Sequence, residues 1–346
     1  MSAQRPWLVP LTPLYHLIVV IKRRLYEWGW LRQRKLPAPV ISVGSVSAGG
    51  AGKTPFVVML ARLLDRRGYA VSILTRGYGR TSQVIERVAP GGDPVWHGDE
   101  PVLMAQQSGA SVFAGADRYE AGLLAGAERS ENRIAVHLLD DGFQHLRLAR
   151  SVDIVLLTLE DTEDVLLPAG NLREPVSAVG KANIVVVREE EAASLFEELE
   201  ALREEGHAFL VWTIRRTLSL LEGPETALPT FPLAFCGIAR PDNFTRMLTK
   251  SRYEPMETMA FADHHRYESG DMMRLVKHAH HIGANGFVTT EKDAVKITQA
   301  MRAQLREIGP LIVARLKVEL LNEKESLGQL VAMVNKLDRR RNRPIA

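Results

Sequence analysis

Cysteine is nearly absent: Cys236 is the single one in 346 residues. One thiol forms no internal disulfide and builds no Cys-based zinc or iron–sulfur site, which fits a reducing compartment and favours the cytoplasmic side. The histidines do not supply a zinc site either. His264 and His265 are adjacent, and His278, His280 and His281 crowd one turn of an expected helix without a partner motif. Net charge is only +3, and the chain lacks a basic main body. Seven basic side chains (Arg5, Lys22, Arg23, Arg24, Arg32, Arg34, Lys35) stand against Glu27 alone in residues 1–40, and Arg339, Arg340, Arg341 and Arg343 close the chain, so the middle is acidic. A nucleic-acid binder gathers its cations on the folded surface that meets the phosphates; no nucleic-acid partner is expected, and nothing in the sequence calls for an obligate protein partner.

The N-terminus also lacks an apolar run of spanning length. Leu14 to Ile21 is apolar apart from His16, but it covers eight residues, and extension backwards meets Pro13 and Pro10. A spanning helix needs about 20. A cleaved signal peptide carries its charge before the apolar run, whereas Lys22, Arg23 and Arg24 follow it. What remains is a helix lying at a membrane surface. Trp7, Trp28 and Trp30, three of the five tryptophans, flank it, and Trp and Lys/Arg both favour the headgroup layer of an anionic leaflet. A plain core helix with a solvated basic end is the alternative.

The rest has ordinary globular composition, with 46% hydrophobic and 25% charged residues, 26 Gly and 18 Pro. At roughly 100–200 residues per domain the length allows two or three domains. Pro39 to Gly44 reads as a buried strand and Pro55 to Arg67 as a helix. Between them lies Ser47-Ala48-Gly49-Gly50-Ala51-Gly52-Lys53-Thr54. Glycines let successive backbone N–H groups turn around phosphate oxygens, Lys53 reaches the same oxygens, and the Thr54 hydroxyl suits Mg²⁺. The strict loop pattern has Gly where Ser47 stands, so this is a variant. Arg133 to Leu139 reads as a second buried strand and runs into Asp140-Asp141, where a magnesium-binding carboxylate belongs; one of the two is the metal ligand and the other a cap. ATP with Mg²⁺ is the expected pair. A membrane-associated switch ATPase uses a related loop, but it carries a second lysine where this chain has Ala48.

Eight short signatures follow one another: GGAGKTP at 49–55, RGYG at 76–79, GDEP at 98–101, DR at 117–118, DDGFQH at 140–145, LPAGNLREP at 167–175, DHH at 263–265 and TTEKDAVK at 289–296. With the apolar, basic N-terminus, this order closely resembles the tetraacyldisaccharide 4'-kinases, the lipid A 4'-kinases of Gram-negative bacteria, across roughly residues 10 to 335. The resemblance implies transfer of the ATP γ-phosphate to the 4'-hydroxyl of a tetraacylated glucosamine disaccharide 1-phosphate, giving lipid IVA, at the cytoplasmic face of the inner membrane. A substrate with four acyl chains stays in the bilayer, so such an enzyme needs an anchor.

The resemblance further implies Asp99 as general base, tuned by His264 or else His265; on sequence alone Asp99 reads equally as a turn residue. Glu100 is a further magnesium candidate or simply a helix start. Gln144 and His145 follow the Asp140 strand, at the edge where open α/β sheets bind ligands. Arg118 and Arg173, and less so Arg76, suit the lipid phosphate because a guanidinium fork matches phosphate oxygens. Tyr78, between two glycines, is placed to meet substrate, and Lys292 and Lys296 are either ligand-facing or a solvated helix start.

Strand-like runs at 40–43, 71–75, 111–114, 133–139, 153–159, 183–187 and 209–214, and again at 233–237, 287–290 and 311–315, alternate with helical stretches. They predict an α/β fold of P-loop NTPase type, a mostly parallel sheet with helices on both faces. The expected division is an interface helix at 1–35, a P-loop kinase domain at 36–216, a linker at 217–232 and a smaller C-terminal α/β domain at 233–346.

Overall fold

The computed structural model describes residues 5–128, 133–221 and 228–341. Twelve strands form one sheet: β1 (Val40–Ser45), β2 (Tyr69–Thr75), β3 (Glu86–Val88), β4 (Ser111–Ala114), β5 (Ile134–Asp140), β6 (Val152–Leu156), β7 (Ile184–Arg188), β8 (Leu210–Leu221), β9 (Pro232–Cys236), β10 (Glu257–Ala260), β11 (Gly286–Thr290) and β12 (Leu311–Leu320). Their order is β10-β9-β11-β12-β8-β7-β6-β1-β5-β2-β4-β3. Neighbours run parallel except at β3–β4 and at β8–β12. Every residue of β1 is buried, as a strand with parallel neighbours on both sides and helices on both faces must be. The mostly parallel α/β prediction therefore holds. β3 and β10, short edge strands without a strong apolar alternation, are absent from it.

The linker prediction is corrected in part. Residues 217–221 belong to β8, whose first half pairs with β7 (Leu210 to Ile214) while its second half pairs antiparallel with β12 (Ile214 to Leu221). The part of the sheet formed by β1–β7 and the part formed by β9–β12, here called the first and second lobes, thus share one strand, and the backbone ladder has no gap between them. The core is continuous there too: Ile41, Val43 and Phe56 belong to the same buried cluster as Trp212, Ile214, Val318, Leu320, Leu327 and Leu330. Gly223, Pro224 and the side chains of the arginines at 339–343 lie outside the described residues.

The helix after the glycine loop, Lys53–Arg66, buries Phe56, Val57, Leu60, Ala61, Leu63 and Leu64. This helical spacing seats it on the sheet, each large side chain contributing about 1.5–3 kcal/mol of burial. Its start is set by Gly52 at φ 87°, a left-handed conformation that glycine adopts without strain.

At the N-terminus Pro6–Leu11 is a 3₁₀ turn and Thr12–Glu27 an α-helix with no buried residue. Leu14, Leu17, Ile18 and Ile21, spaced to share one face, are all exposed, and Trp7, Trp28 and Trp30 are 74%, 65% and 77% exposed. The other side is tied down: Tyr15 Oη donates to the Arg173 carbonyl (3.0 Å), Arg23 pairs with Glu174, and Lys181 with Glu27 (2.8 Å). No helix among the described residues is long and apolar enough to cross a membrane.

The close packing of β1 against the turn after β5 is testable. A side chain at Gly44 would put its first carbon 2.5 Å from Phe143 Cβ and 2.8 Å from Phe143 N, whereas nothing lies within 4 Å of one at Gly126. Gly44→Ala is expected to lose about 1–3 kcal/mol of stability, and Gly126→Ala, inside a helix, to be neutral or gain up to about 1 kcal/mol. Thermal melts of the two variants check this.

Candidate active site

Strand β1 delivers the glycine loop and β5, its neighbour, delivers Asp140, with Val43 opposite Asp140 in register. Parallel strands leave both segments at the carboxyl edge of the sheet, where open α/β folds bind ligands. Gly49, Gly50 and Gly52 have φ of 85°, 75° and 87°, so the loop turns as a phosphate cradle requires. Ser47, where the strict pattern has glycine, is fully buried and bridges to Leu172; its carbonyl accepts from Ser45 Oγ (2.8 Å) and Arg173 Nη2 (2.8 Å). Ala48 N donates to the Asn171 carbonyl (2.9 Å). The variant loop is thus braced by the 167–175 motif. Lys53 Nζ donates to Ser45 Oγ (3.0 Å) and lies 3.4 Å from Asp141 Oδ1.

Asp140 and Asp141 occupy opposite environments. Asp140, the last residue of β5, accepts from Thr75 Oγ1 (2.9 Å), while its Oδ1 is buried without a hydrogen-bond partner. Burial, then the charges of Glu100 and Asp141, push its pKa up to about 7. Asp141 has φ 49° and turns towards the loop, taking both Arg173 guanidinium nitrogens at 2.7 Å. Although burial acts against it, Lys53 and Arg173 hold its pKa well below the usual carboxylate range. An orphaned carboxylate oxygen beside a phosphate cradle fits a divalent cation, so Asp140, with Thr54, is the residue suited to magnesium, and Asp141 the loop's counter-charge. Among the described residues no three His, Cys, Asp or Glu form a metal cluster by themselves, as expected where a hydroxyl, nucleotide oxygens and water complete the shell.

Asp99 opens the Asp99–Gln107 helix and is buried. His264 reaches it from the second lobe, Nδ1 standing 3.1 Å from both carboxylate oxygens. His265 does not: its Nε2 pairs with Asp271 (2.9 Å) and its ring stacks on Phe261. Lys292 Nζ donates to His264 Nε2 (3.1 Å) and pairs with Glu100 (3.2 Å) and Asp263 (3.1 Å). An ammonium has no acceptor, so in the neutral imidazole the proton sits on Nδ1, facing Asp99. Burial alone would raise the Asp99 pKa, but the His264 bond and then the Lys292, His264 and Lys296 charges bring it below the ordinary value. Burial would lower that of His264, and Asp99 raises it. Tyr78, 65% exposed, packs its ring 4.9 Å from that of His264. Tyr78, Val95, Asp99, His264, Arg266 and Lys296 line a cavity of about 140 Å³.

The other expected residues fall around this cleft. Arg118 is buried, donates to the Ala116 carbonyl (2.8 Å) and feels Asp140 and Asp141. Burial and the neighbouring arginines Arg118 and Arg150 push the His145 pKa down to about 4, so it is neutral. Gln144 Nε2 donates to the Ser45 carbonyl (3.0 Å) and Glu174 (3.1 Å), which makes it a loop brace. Arg173, a candidate for the lipid phosphate, has its fork on Asp141 and the Ser47 carbonyl, and Glu100, a magnesium candidate or helix start, pairs with Lys292. Glu174 and Arg188 escaped sequence reading altogether, although Glu174 lies in LPAGNLREP and carries both Gln144 and Arg23.

The geometry joins a phosphate loop, a metal-ready carboxylate and a buried Asp–His pair, the parts of a phosphotransferase. A family model described as tetraacyldisaccharide-1-P 4'-kinase matches residues 4–335. The chain belongs to the tetraacyldisaccharide 4'-kinase family. Those enzymes are ATP-dependent kinases of lipid A biosynthesis. The chain is similar to the tetraacyldisaccharide 4'-kinase of Koribacter versatilis, at 36% identity over 94% of this chain and 98% of that one. It is also similar to that of Aquifex aeolicus, at 37% over 85% and 90%. A crystal structure of LpxK from Aquifex aeolicus in complex with ATP superposes with a TM-score of 0.71 at 34% identity, covering 95% of this chain and 99% of that one. For this family member the switch-ATPase alternative lapses.

The Asp140 environment carries a stability signature. Its folded pKa of about 7 lies above the ordinary aspartate value of 3.8, so the folded state holds the proton longer and stability is lost as pH rises between these values. Asp140→Asn is expected to raise the melting temperature of the nucleotide-free protein, by more at pH 8 than at pH 5.5; an equal effect at both pH values contradicts the assignment.

Proposed function

We propose that this cleft phosphorylates the 4'-hydroxyl of a tetraacylated glucosamine disaccharide 1-phosphate, with ATP as donor, at the cytoplasmic face of the inner membrane. The observation that carries it is the buried Asp99–His264 pair, 3.1 Å apart, with the neighbouring Glu100 charge acting on Asp140 at the edge that carries the glycine loop. Asp99 accepts the hydroxyl's hydrogen bond and aims its oxygen at the γ-phosphorus. The new O–P bond forms as the bond to the β-phosphate oxygen breaks, leaving ADP and the 4'-phosphate, and the hydroxyl proton passes to Asp99. A carboxylate held below its ordinary pKa is a weak base, which suits a loose phosphoryl transition state in which the hydroxyl needs orienting more than early deprotonation. His264 and Lys292 keep that carboxylate ionised and aimed. Lys53 and the loop N–H groups hold the phosphates. Thr54 and Asp140 would hold magnesium, which would neutralise part of the phosphate charge. Arg118 and Tyr78 face the acceptor side.

The exposed Leu14-Leu17-Ile18-Ile21 face and the flanking tryptophans support docking on an anionic membrane surface. The same helix reaches Arg173 and Glu174 through Tyr15 and Arg23, so docking brings the bilayer to the cleft.

Two experiments test this reading. Labelled γ-phosphate is expected to pass to the disaccharide 1-phosphate in micelles with wild type and not with Lys53→Ala; ATP hydrolysis with no lipid labelling contradicts it. Replacing Leu17, Ile18 and Ile21 together with Ser is expected to cut sedimentation with anionic liposomes at least tenfold, about 1.4 kcal/mol, without moving the melting temperature. Unchanged sedimentation contradicts the docking face.

A further inference from the structure

The glycine loop is touched from the second lobe. A first side-chain carbon at Gly49 would lie 3.4 Å from Ala239 Cβ, and one at Gly50 would lie 2.5 Å from Arg240 Nε. The Arg240 guanidinium therefore rests against the loop where it turns. A second guanidinium, Arg188 at the end of β7, donates to the Gly50 carbonyl (3.2 Å).

The two arginines are not equivalent. Arg188 has both terminal nitrogens engaged, Nη1 with Glu191 (2.6 Å) and Glu160 (3.3 Å) and Nη2 with the Gly50 carbonyl, and only its Nε lacks a partner. Arg240 is held loosely. Its Nη1 lies 3.3 Å from Glu160 Oε2 and its Nη2 3.7 Å from Asp161 Oδ1, yet buried Nη1 makes no hydrogen bond. Asp161 spends its other oxygen on the Thr158 N–H (2.9 Å), and Glu160 is shared with Arg188 and Asn243. A guanidinium with a buried, unspent N–H, parked by carboxylates that have other partners and pressed against a phosphate loop, is arranged to receive an anion.

We infer that Arg240 is a second-lobe ligand for the β- and γ-phosphates of the bound nucleotide, with Glu160 as its resting partner. The inference rests on the reading of the loop as the ATP site. A plain tie between lobes would use the same Arg240–Glu160 pair, and the two accounts separate in binding.

The measurement is calorimetric binding of a non-hydrolysable ATP analogue and of AMP to the full chain. Arg240→Ala is expected to weaken the analogue roughly 10- to 100-fold and leave AMP, which lacks the two outer phosphates, within twofold of wild type. Arg240→Lys, which keeps the charge without the fork, falls between and serves if the alanine variant does not fold. Glu160→Gln frees Arg240 and is expected to bind the analogue as well as wild type or better. Analogue binding within twofold of wild type in Arg240→Ala or, failing its fold, in Arg240→Lys overturns the assignment, as does an equal loss in Arg240→Ala and Glu160→Gln. If Lys53→Ala also binds the analogue like wild type, the reading of the loop falls, and the assignment with it.

Discussion

A buried carboxylate whose charge is kept by groups from another lobe is the constraint around which this site is built. Asp99 would drift towards its neutral form if burial acted alone, because a low-dielectric surrounding disfavours charge. His264, Lys292 and Lys296 reverse that, and all three come from beyond β8. The single twelve-stranded sheet is what makes the arrangement dependable. With β8 serving both lobes and one core running beneath the seam, the His264 segment is carried to Asp99 on a continuous hydrogen-bonded ladder. The charges are interlocked as well: Lys292 orients His264 while it neutralises Glu100, whose charge also bears on Asp140.

The adjacent pair Asp140-Asp141 illustrates how one dipeptide yields two chemistries. The strand ends at Asp140 and buries it with one oxygen unsatisfied, ready for a cation. One residue later a left-handed backbone swings Asp141 to Lys53 and Arg173, where it stays ionised. Two titratable groups pushed apart by their surroundings mark divided labour. Arg173 in turn braces Ser47, so the departure from a strict glycine loop is offset by hydrogen bonds from the 167–175 motif.

Much of this was legible in the sequence. The glycine loop, the strand leading to Asp140 and the alternation of strands and helices are local signals, written in residues close along the chain. The Asp99–His264 pair was legible only through motif resemblance, since 165 residues separate the partners and no spacing rule joins them. His264 against His265 was undecidable from sequence: the choice turns on His264 adopting φ 59°, while His265 faces Asp271. The partners of Arg173 and Glu100, Asp141 and Lys292, were not legible, because residue type announces an affinity for phosphate or metal and not which nearby ion stands beside it. The linker was overdrawn at 217–221 because Pro and Gly further on suggested a break, while the strand continued to meet a partner nearly 100 residues away. Glu174 carried no signal beyond its place in LPAGNLREP, and Arg188 carried none.

The most direct test of the central claim is a double-mutant cycle on lipid phosphorylation with Asp99→Asn, His264→Asn and the combination, with ATP binding as control. If His264 acts through Asp99, each single variant lowers kcat strongly, ATP binding stays near wild type, and the double variant is no slower than Asp99→Asn alone, since partners acting as a unit lose their effect once. A double variant slowed by the product of the two single losses would mean that the residues act independently, and the cross-lobe pair would cease to explain the site.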